Sequence, residues 1–386
     1  MLAICSILAV YSAAVKLAYD NHGGNTEFYL LHQIMFITIG IICMVTAYRF
    51  NYMLYSKLAV IGLVITVGLL AYTLMFGIEI HDAKRWIKIP WLNKTIQTSD
   101  IAKLALVVYV ARALSLKQNV IKDFKSAFLP IIIPVVVVCS LIAPADLSTS
   151  LLLFGTCLLM MIIGRVSLKY VFLMFLVGLA ALAILVLLGT VFPEFIRLET
   201  WISRVTEFFS NTDGGWQIQQ SKIAIANGGW FGQGPGGSIQ RDYLPYASAD
   251  FIYAIICEEY GIIGGFTLIA LYLGLLFRCT SMVTRCHKTF GAILAIGLCL
   301  NIVVQAMANI AVSVHLVPVT GLTLPMVSMG GTSIIFTCIS LGIILSVSRY
   351  VEEYSTYEIM QEEAEVRNEE VSVKVNDKRM KYENYY

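Results

Sequence analysis

Long uninterrupted apolar runs constrain this chain more than any other feature. Ten can be marked, roughly at 1–19, 29–48, 57–77, 100–116, 127–143, 147–164, 168–191, 250–277, 289–313 and 332–349. A helix needs about 20 mainly apolar residues to cross the hydrocarbon core of a bilayer. Inside lipid every backbone N–H and C=O must be bonded within the protein, which leaves helices or a closed barrel. The runs lack the alternation of barrel strands. The expected fold is therefore an all-α polytopic integral membrane protein of about ten transmembrane helices. Short polar breaks separate the fourth, fifth and sixth runs, so their bounds are the least sharp. Composition agrees where it decides something. Only 13% of the 386 residues are charged, against roughly 25% in an average soluble domain. That is too little charge to coat a globule of this size, and a soluble cytoplasmic enzyme is excluded.

The first run begins at Met1 with no basic leading segment and no A-x-A-like cleavage site. It is expected to remain as a helix rather than leave as a signal peptide. No internal repeat is visible, so an inverted-repeat transporter gains no support. The nine cysteines form no CxxC pair and mostly sit inside apolar runs. They read as small buried hydrophobes, not as a disulfide framework or zinc site. A net charge of +2 supplies no field for a nucleic-acid partner.

Loop charge gives the orientation. Alternate loops carry Arg49 and Lys57; then Arg112, Lys117, Lys122 and Lys125; then Arg165 and Lys169; then Arg278, Arg285 and Lys288. Asp123 is the only acid among them. That basic bias marks the cytoplasmic side, and ten spans place both termini there. Residues 1–350 are expected to form one transmembrane domain. Residues 351–386 form a charged cytoplasmic tail, solvated and partly disordered. Two outward loops break the pattern. The 78–99 loop holds Lys84, Arg85, Lys88 and Lys94. The loop at about 192–249, between the seventh and eighth spans, holds Arg197, Arg204, Lys222 and Arg241. Cations on the outer side suit an anionic ligand there; the plainer reading is that outer loops tolerate a few of them. Loops this long are functional or disordered, and Trp201, Trp216 and Trp230 argue against disorder.

Several polar residues stand at membrane boundaries. Asp250 opens the eighth run, with Glu258 and Glu259 about 12 Å further along a helix. An acid at a helix start suits the dipole. Ionisable groups at depth usually face a polar cavity, so one face of this helix is expected to line a wet cavity with Asp250 at its mouth. Gln97, Thr98, Ser99 and Asp100 precede the fourth run, and Lys103 shares a face with Asp100. A capped helix with a snorkelling lysine explains these residues; so does a cation held to meet a phosphate or to orient an acid. Asp146 reads chiefly as an N-cap. The stretch Gly228–Gly237 lacks the ending of a Walker loop. It reads as a turn-rich loop whose N–H groups could face a ligand. Two prolines and three glycines between Pro318 and Ser333 forbid a regular helix.

Together these segments resemble the SEDS family of polytopic cell-wall proteins (shape, elongation, division and sporulation). Pro318-Val319-Thr320-Gly321-Leu322-Thr323-Leu324-Pro325, with Ser328, Gly330, Gly331, Thr332 and Ser333, is similar to the family's P-x-T-G-L-x-L-P-x-x-S-Y-G-G-S-S. Met329 stands for its Tyr and Thr332 for its Ser. Leu244-Pro245, Asp250-Phe251-Ile252 and Glu258-Glu259-Tyr260-Gly261 resemble L-P-E-x-x-T-D-F-I-F and E-E-L-G, with Tyr246 for Glu and Ala249 for Thr. Arg85-Trp86-Ile87 and Gln97 to Lys103 resemble R-W-I and Q-P-S-E-x-x-K, with Thr98 for Pro and Asp100 for Glu. Asp146-Leu147-Ser148-Thr149 resembles P-D-L-G-T. Val10-Tyr11-Ser12-Ala13 and Gly234 to Gln240 place the chain nearer the family's division branch than its elongation branch. The resemblance spans the chain up to its tail.

The resemblance implies a peptidoglycan glycosyltransferase in the cytoplasmic (inner) membrane at the division septum. It would polymerise lipid II, with inversion to a β-1,4 bond and release of undecaprenyl pyrophosphate. Its partners would be a class B penicillin-binding transpeptidase and other membrane proteins of the divisome. Asp250 would be the catalytic base. Arg85, Trp86, Gln97, Ser99, Asp100, Lys103, Gln220, Ser221, Glu258, Ser328, Gly330, Gly331 and Ser333 would contact substrate. No cofactor is required by these motifs; a divalent cation, magnesium or manganese, is kept open. A lipid II flippase and a non-catalytic scaffold for the transpeptidase are the alternative functions.

Overall fold

The computed structural model describes residues 1–22, 25–80, 83–89, 94–118, 124, 128–192, 196–210 and 214–354. Lys122, Asp123, Lys125 and the tail from residue 355 lie outside the described residues, as do the side chains of Lys84 and Lys94. The chain is mostly helical. The first apolar run divides into α1 (Leu2–Ala13) and α2 (Val15–His22). Then come α3 (Thr26–Arg49) and α4 (Tyr52–Phe76). The side chains of Asn25 and Asn51 accept from Phe28 N and Met53 N, which starts both helices where the sequence changes from polar to apolar. After a small sheet follow α5 (Thr98–Leu116), α6 (Leu129–Ile142), α7 (Leu147–Ile163) and α8 (Leu168–Val191). Further on lie α9 (Leu198–Ser210), α10 (Trp216–Gly228), α11 (Ile252–Val283), α12 (Thr289–Ser313) and α13 (Thr332–Tyr354).

Six of these, α3, α4, α8, α11, α12 and α13, are long and apolar enough to cross a membrane. The chain is a multi-pass membrane protein. Helices α1, α6 and α7 are apolar but shorter. The 14 residues of α6 rise only about 21 Å, less than a hydrocarbon core of about 30 Å. The last helix runs four residues past the expected domain end at 350.

The core lies around α5 and α12. Leu106, Val107, Val110 and Leu114 of α5 meet Leu294, Leu298, Cys299 and Val303 of α12, with α4, α6 and α7 packed outside them. By contrast α8 buries little but Met174 and Gly189. All nine cysteines are unpaired, and six are buried.

Three expectations need correction. The 78–99 segment is not a plain loop. Strands β1 (Ile78–Ile80), β2 (Ala83–Ile89) and β3 (Lys94–Gln97) form an antiparallel sheet in that order, with Trp86 opposite both Ile78 and Gln97. The sequence Arg85-Trp86-Ile87-Lys88-Ile89 carries the alternation of a half-buried strand. Asp250 does not open a helix either, because α11 begins at Ile252. Asp250 and Glu258 therefore do not lie along one regular helix.

The third correction concerns the wet cavity. Helix α11 breaks at Gly261, whose φ is +69. The glycine-rich loop fills that break. Gln233 N and Gly234 N donate to Glu258 O and Glu259 O at 2.9 and 3.0 Å, and Ile262 N donates to Gly229 O at 2.9 Å. These N–H groups complete the helix rather than face a ligand. Both glutamates are buried and engaged. Ser238 Oγ donates to Glu258, as do Ile239 N and Gln240 N. Ser12 Oγ donates to Glu259 and accepts from Arg241 Nη1. Both glutamates of α11 are thus taken up by other segments of the protein.

Candidate active site

Residues 246–251 turn back on themselves before α11. Ala249 N and Asp250 N both donate to Tyr246 O, at 2.9 and 3.1 Å. The segment is held by its backbone. Ser328 Oγ donates to Ala249 O at 2.5 Å, Met329 N to Ser248 O at 2.9 Å, and Asn309 Nδ2 to Asp250 O at 2.7 Å. The Asp250 carboxylate, in contrast, has no hydrogen-bond or ion-pair partner among the described residues. Gly321 lies over it: a Cβ placed there would stand 3.8 Å from Asp250 Oδ2 and 3.9 Å from Arg85 Nη1. The Asp250 carboxylate and the guanidinium thus border one small gap that a larger residue at 321 would enter.

Arg85 is delivered by β2. Its Nη1 donates to Asp146 Oδ2 at 2.8 Å, in a pair that is largely buried. Asp146 does two jobs. Its Oδ1 caps α7 by accepting from Thr149 N at 3.1 Å, while Oδ2 fixes the guanidinium. A small cavity beside the pair is lined by Arg85, Thr98, Ser99 and Asp146, with Leu70 and Leu74 of α4 below.

Charge near the site is mixed. Burial raises the Asp250 carboxyl to about 6; Arg85 and Arg204 oppose the rise and Asp146 adds to it. Arg204 comes from α9. Burial and the neighbouring Arg197 and Arg85 lower its pKa, against Asp146 and Asp250. Three arginines and two aspartates therefore act on one another here. Arg197 and Arg204 stood out in the sequence only as outer-loop cations. The amphipathic pattern of α9, with Leu198, Ile202, Val205 and Phe209 against Glu199 and Glu207, could have drawn attention to Arg204.

The remaining candidates divide into three groups. Lys103 is buried and not snorkelling: its Nζ lies 2.8 Å from Asp100 Oδ1 and donates to Gln305 Oε1 at 3.1 Å. Asp100, Lys103 and Ser333 line a second cavity of about 20 Å³, room for about one water. Gln97 Nε2 donates to Ser99 Oγ at 3.0 Å, and Gln97 N reaches Thr332 Oγ1 at 3.5 Å beside Gly330 and Gly331. This ties the sheet to the start of α13, with Trp86 half-buried in its middle strand. The others brace the scaffold. Ser328 Oγ accepts from Leu324 N at 2.8 Å besides holding Ala249. Ser221 Oγ donates to Ser313 O at 2.8 Å, with Gln220 buried next to it. Glu258 is taken up by Ser238, Ile239 and Gln240. Glu258 and Ser221, expected at the substrate, are therefore already bonded within the protein. Among the described residues no three His, Cys, Asp or Glu side chains group as a metal set.

This fold and these segments have known counterparts. The family described as cell cycle proteins, FtsW/RodA/SpoVE, matches residues 1–353. The chain belongs to that family. Within it, the chain is 34% identical over 347 residues to a probable peptidoglycan glycosyltransferase FtsW of Geobacter sp. (strain M18), covering 89% of this chain and 92% of the relative. It is 32% identical over 354 residues to stage V sporulation protein E of Bacillus subtilis, covering 91% and 94%. The fold is similar to a chain of a peptidoglycan synthase complex that coordinates polymerization and crosslinking. The TM-score is 0.66 at 24% identity, over 89% of this chain and 96% of that one.

Proposed function

We propose that the chain is a peptidoglycan glycosyltransferase of the FtsW type that polymerises lipid II at the outer face of the cytoplasmic membrane during septum formation. The names of its FtsW relatives support the activity. One observation carries the site: the unbonded Asp250 carboxylate, raised to about 6, beside the Arg85–Asp146 pair. In this reading residues 1–350 make one domain of ten spans, the shorter helices included, and a class B transpeptidase works beside it.

The reaction asks for two things. The acceptor 4-hydroxyl attacks C1 of the donor sugar; the new C–O bond forms as the bond to pyrophosphate breaks, with inversion. Asp250 takes the hydroxyl proton, and a pKa near the working pH suits a general base. The electron pair leaves with undecaprenyl pyrophosphate, whose charge Arg85 and Arg204 stabilise. Asp146 keeps Arg85 from pairing with the base. A flippase would place no demand on a free carboxylate here. The test is glycan polymerisation from purified lipid II by the chain with its transpeptidase. Wild type should make strands and Asp250→Asn should make them about 10²–10⁴-fold more slowly; equal strand formation would remove Asp250 from the chemistry.

A further inference from the structure

Helix α12 carries a polar residue every fourth position through an apolar span: Asn301, Gln305, Asn309 and Ser313. Residues four apart lie on one helix face, so these make a polar ladder inside the protein. Its rungs are used. Gln305 Nε2 donates to Thr323 O at 2.9 Å while its Oε1 accepts from Lys103. Asn309 Nδ2 donates twice, to Asp250 O and to Leu322 O, both at 2.7 Å.

We infer that Asn309 is the positioning residue of the catalytic aspartate. One buried amide grips the two backbone segments that border the reaction gap, that of Asp250 and that of Gly321–Leu322. Asn309 is 1% exposed, and its Oδ1 has no partner. A leucine would remove that orphan oxygen and keep the site filled, but would leave Asp250 O and Leu322 O without these donors. What the amide contributes is therefore its two donated bonds, not its packing. The helix is a rigid support, since α12 is the most buried of the long apolar helices. The carboxylate itself is unbonded, so its direction depends on how its backbone is held. Lys103 acts through the same ladder: Gln305 joins it to Thr323, two residues along from Gly321.

This inference rests on the reading of Asp250 as the base, and the experiment separates the two. Polymerisation kinetics on purified lipid II are measured for wild type, Asn309→Leu, Asp250→Asn and the double variant, each with its transpeptidase, alongside thermal unfolding in detergent. Misplacing a reacting group by about 1 Å costs about 100-fold. Asn309→Leu should lower kcat about 10- to 100-fold and change KM less than about threefold. In the Asp250→Asn background the same change should cost less than about twofold, because groups that act as a unit are not additive. A loss confined to KM, or an equal loss in both backgrounds, overturns the positioning role while Asp250 stands. Full activity of Asp250→Asn overturns the base assignment first. If Asn309→Leu is not recovered from membranes, the smaller Asn309→Ser is read by the same criteria.

Discussion

Asp250 shows how one residue can be set against the stability of its own fold. Burial raises its carboxyl to about 6, from an ordinary value of 3.8. A base must be ionised, so polymerisation should rise with pH through about 6 and level off above it. Stability should run the other way. The folded state holds this proton more tightly than the unfolded chain, so the contribution is complete below about 4 and is lost as pH rises through about 6. Asp250→Asn should thus slow strand formation and also flatten this part of the stability curve, melting higher than wild type at pH 8. General acid–base catalysis is worth about 10²–10⁴-fold, and the rate should fall by that order. A variant no more stable than wild type at pH 8 would show that Asp250 is not held under strain. The sequence singled out Asp250 by its place after a long loop and by its motif. Its geometry was not legible. A helical wheel presumes a helix, and the Tyr246 turn and the Asn309 grip delay the helix to Ile252. Asn309 was hidden because an amide in an apolar run carries no charge to mark it.

Elements decide whether that residue is presented at all. The break in α11 and the glycine-rich loop are one unit. A Cβ at Gly261 would stand 2.2 Å from Trp230 O, and one at Gly232, with φ +81, 2.1 Å from Glu259 O. Backbone cannot give way there, and the left-handed conformation adds about 1–3 kcal/mol for a non-glycine residue. Gly261→Ala should lower the melting temperature and the recovered yield, and Gly232→Ala likewise; a normal melt for both would mean that the loop is not part of the helix. The sequence displayed the glycines plainly, but a glycine run does not say which carbonyls it must approach. Helix α5 poses the opposite test. Its Asp100–Lys103 pair is buried, 4% and 10% exposed, and Asp100 Oδ2 already lacks a partner. Removing one charge from such a pair costs about 3–5 kcal/mol, while replacing both can be neutral. Lys103→Ala should therefore lose polymerisation and melt low. Asp100→Asn with Lys103→Met should regain the melt without regaining activity, because Gln305 then lacks its ammonium. Recovery of activity in the double variant would make the pair structural alone.

The whole molecule has two chemically different ends. At one, Arg112 Nη1 donates to Ser56 O at 2.5 Å and Ser346 Oγ to Phe50 O at 2.6 Å. There Tyr52 packs edge-on to Tyr350, and Lys288 lies 5.5 Å from the Tyr350 ring. This end gathers the basic residues 49, 57, 112 and 288, which the positive-inside bias assigns to the cytoplasm. At the other stand Asp146 and Asp250 with Arg85 and Arg204, two cations on the side where that bias disfavours them. In the function proposed above, an anionic leaving group would account for these cations, and a lipid-linked substrate for an enzyme built in a membrane. The ends were legible from loop charge alone, since charge bias needs no tertiary contact to act. The small sheet was not, because strand pairing depends on contacts that a hydropathy window averages away, whereas the runs at 127–143 and 147–164 already marked α6 and α7. The arrangement predicts the fate of two fusions. A reporter after Lys117, just past α5, should read cytoplasmic, and one at Gly215, before α10, should read external. The site lies on the same side as Gly215 in this topology, because β2 follows α4 and Asp250 precedes α11. An external signal at Lys117 would turn the molecule over, placing Asp250 and its arginines in the cytoplasm, where the outward transfer of sugars proposed here could not occur.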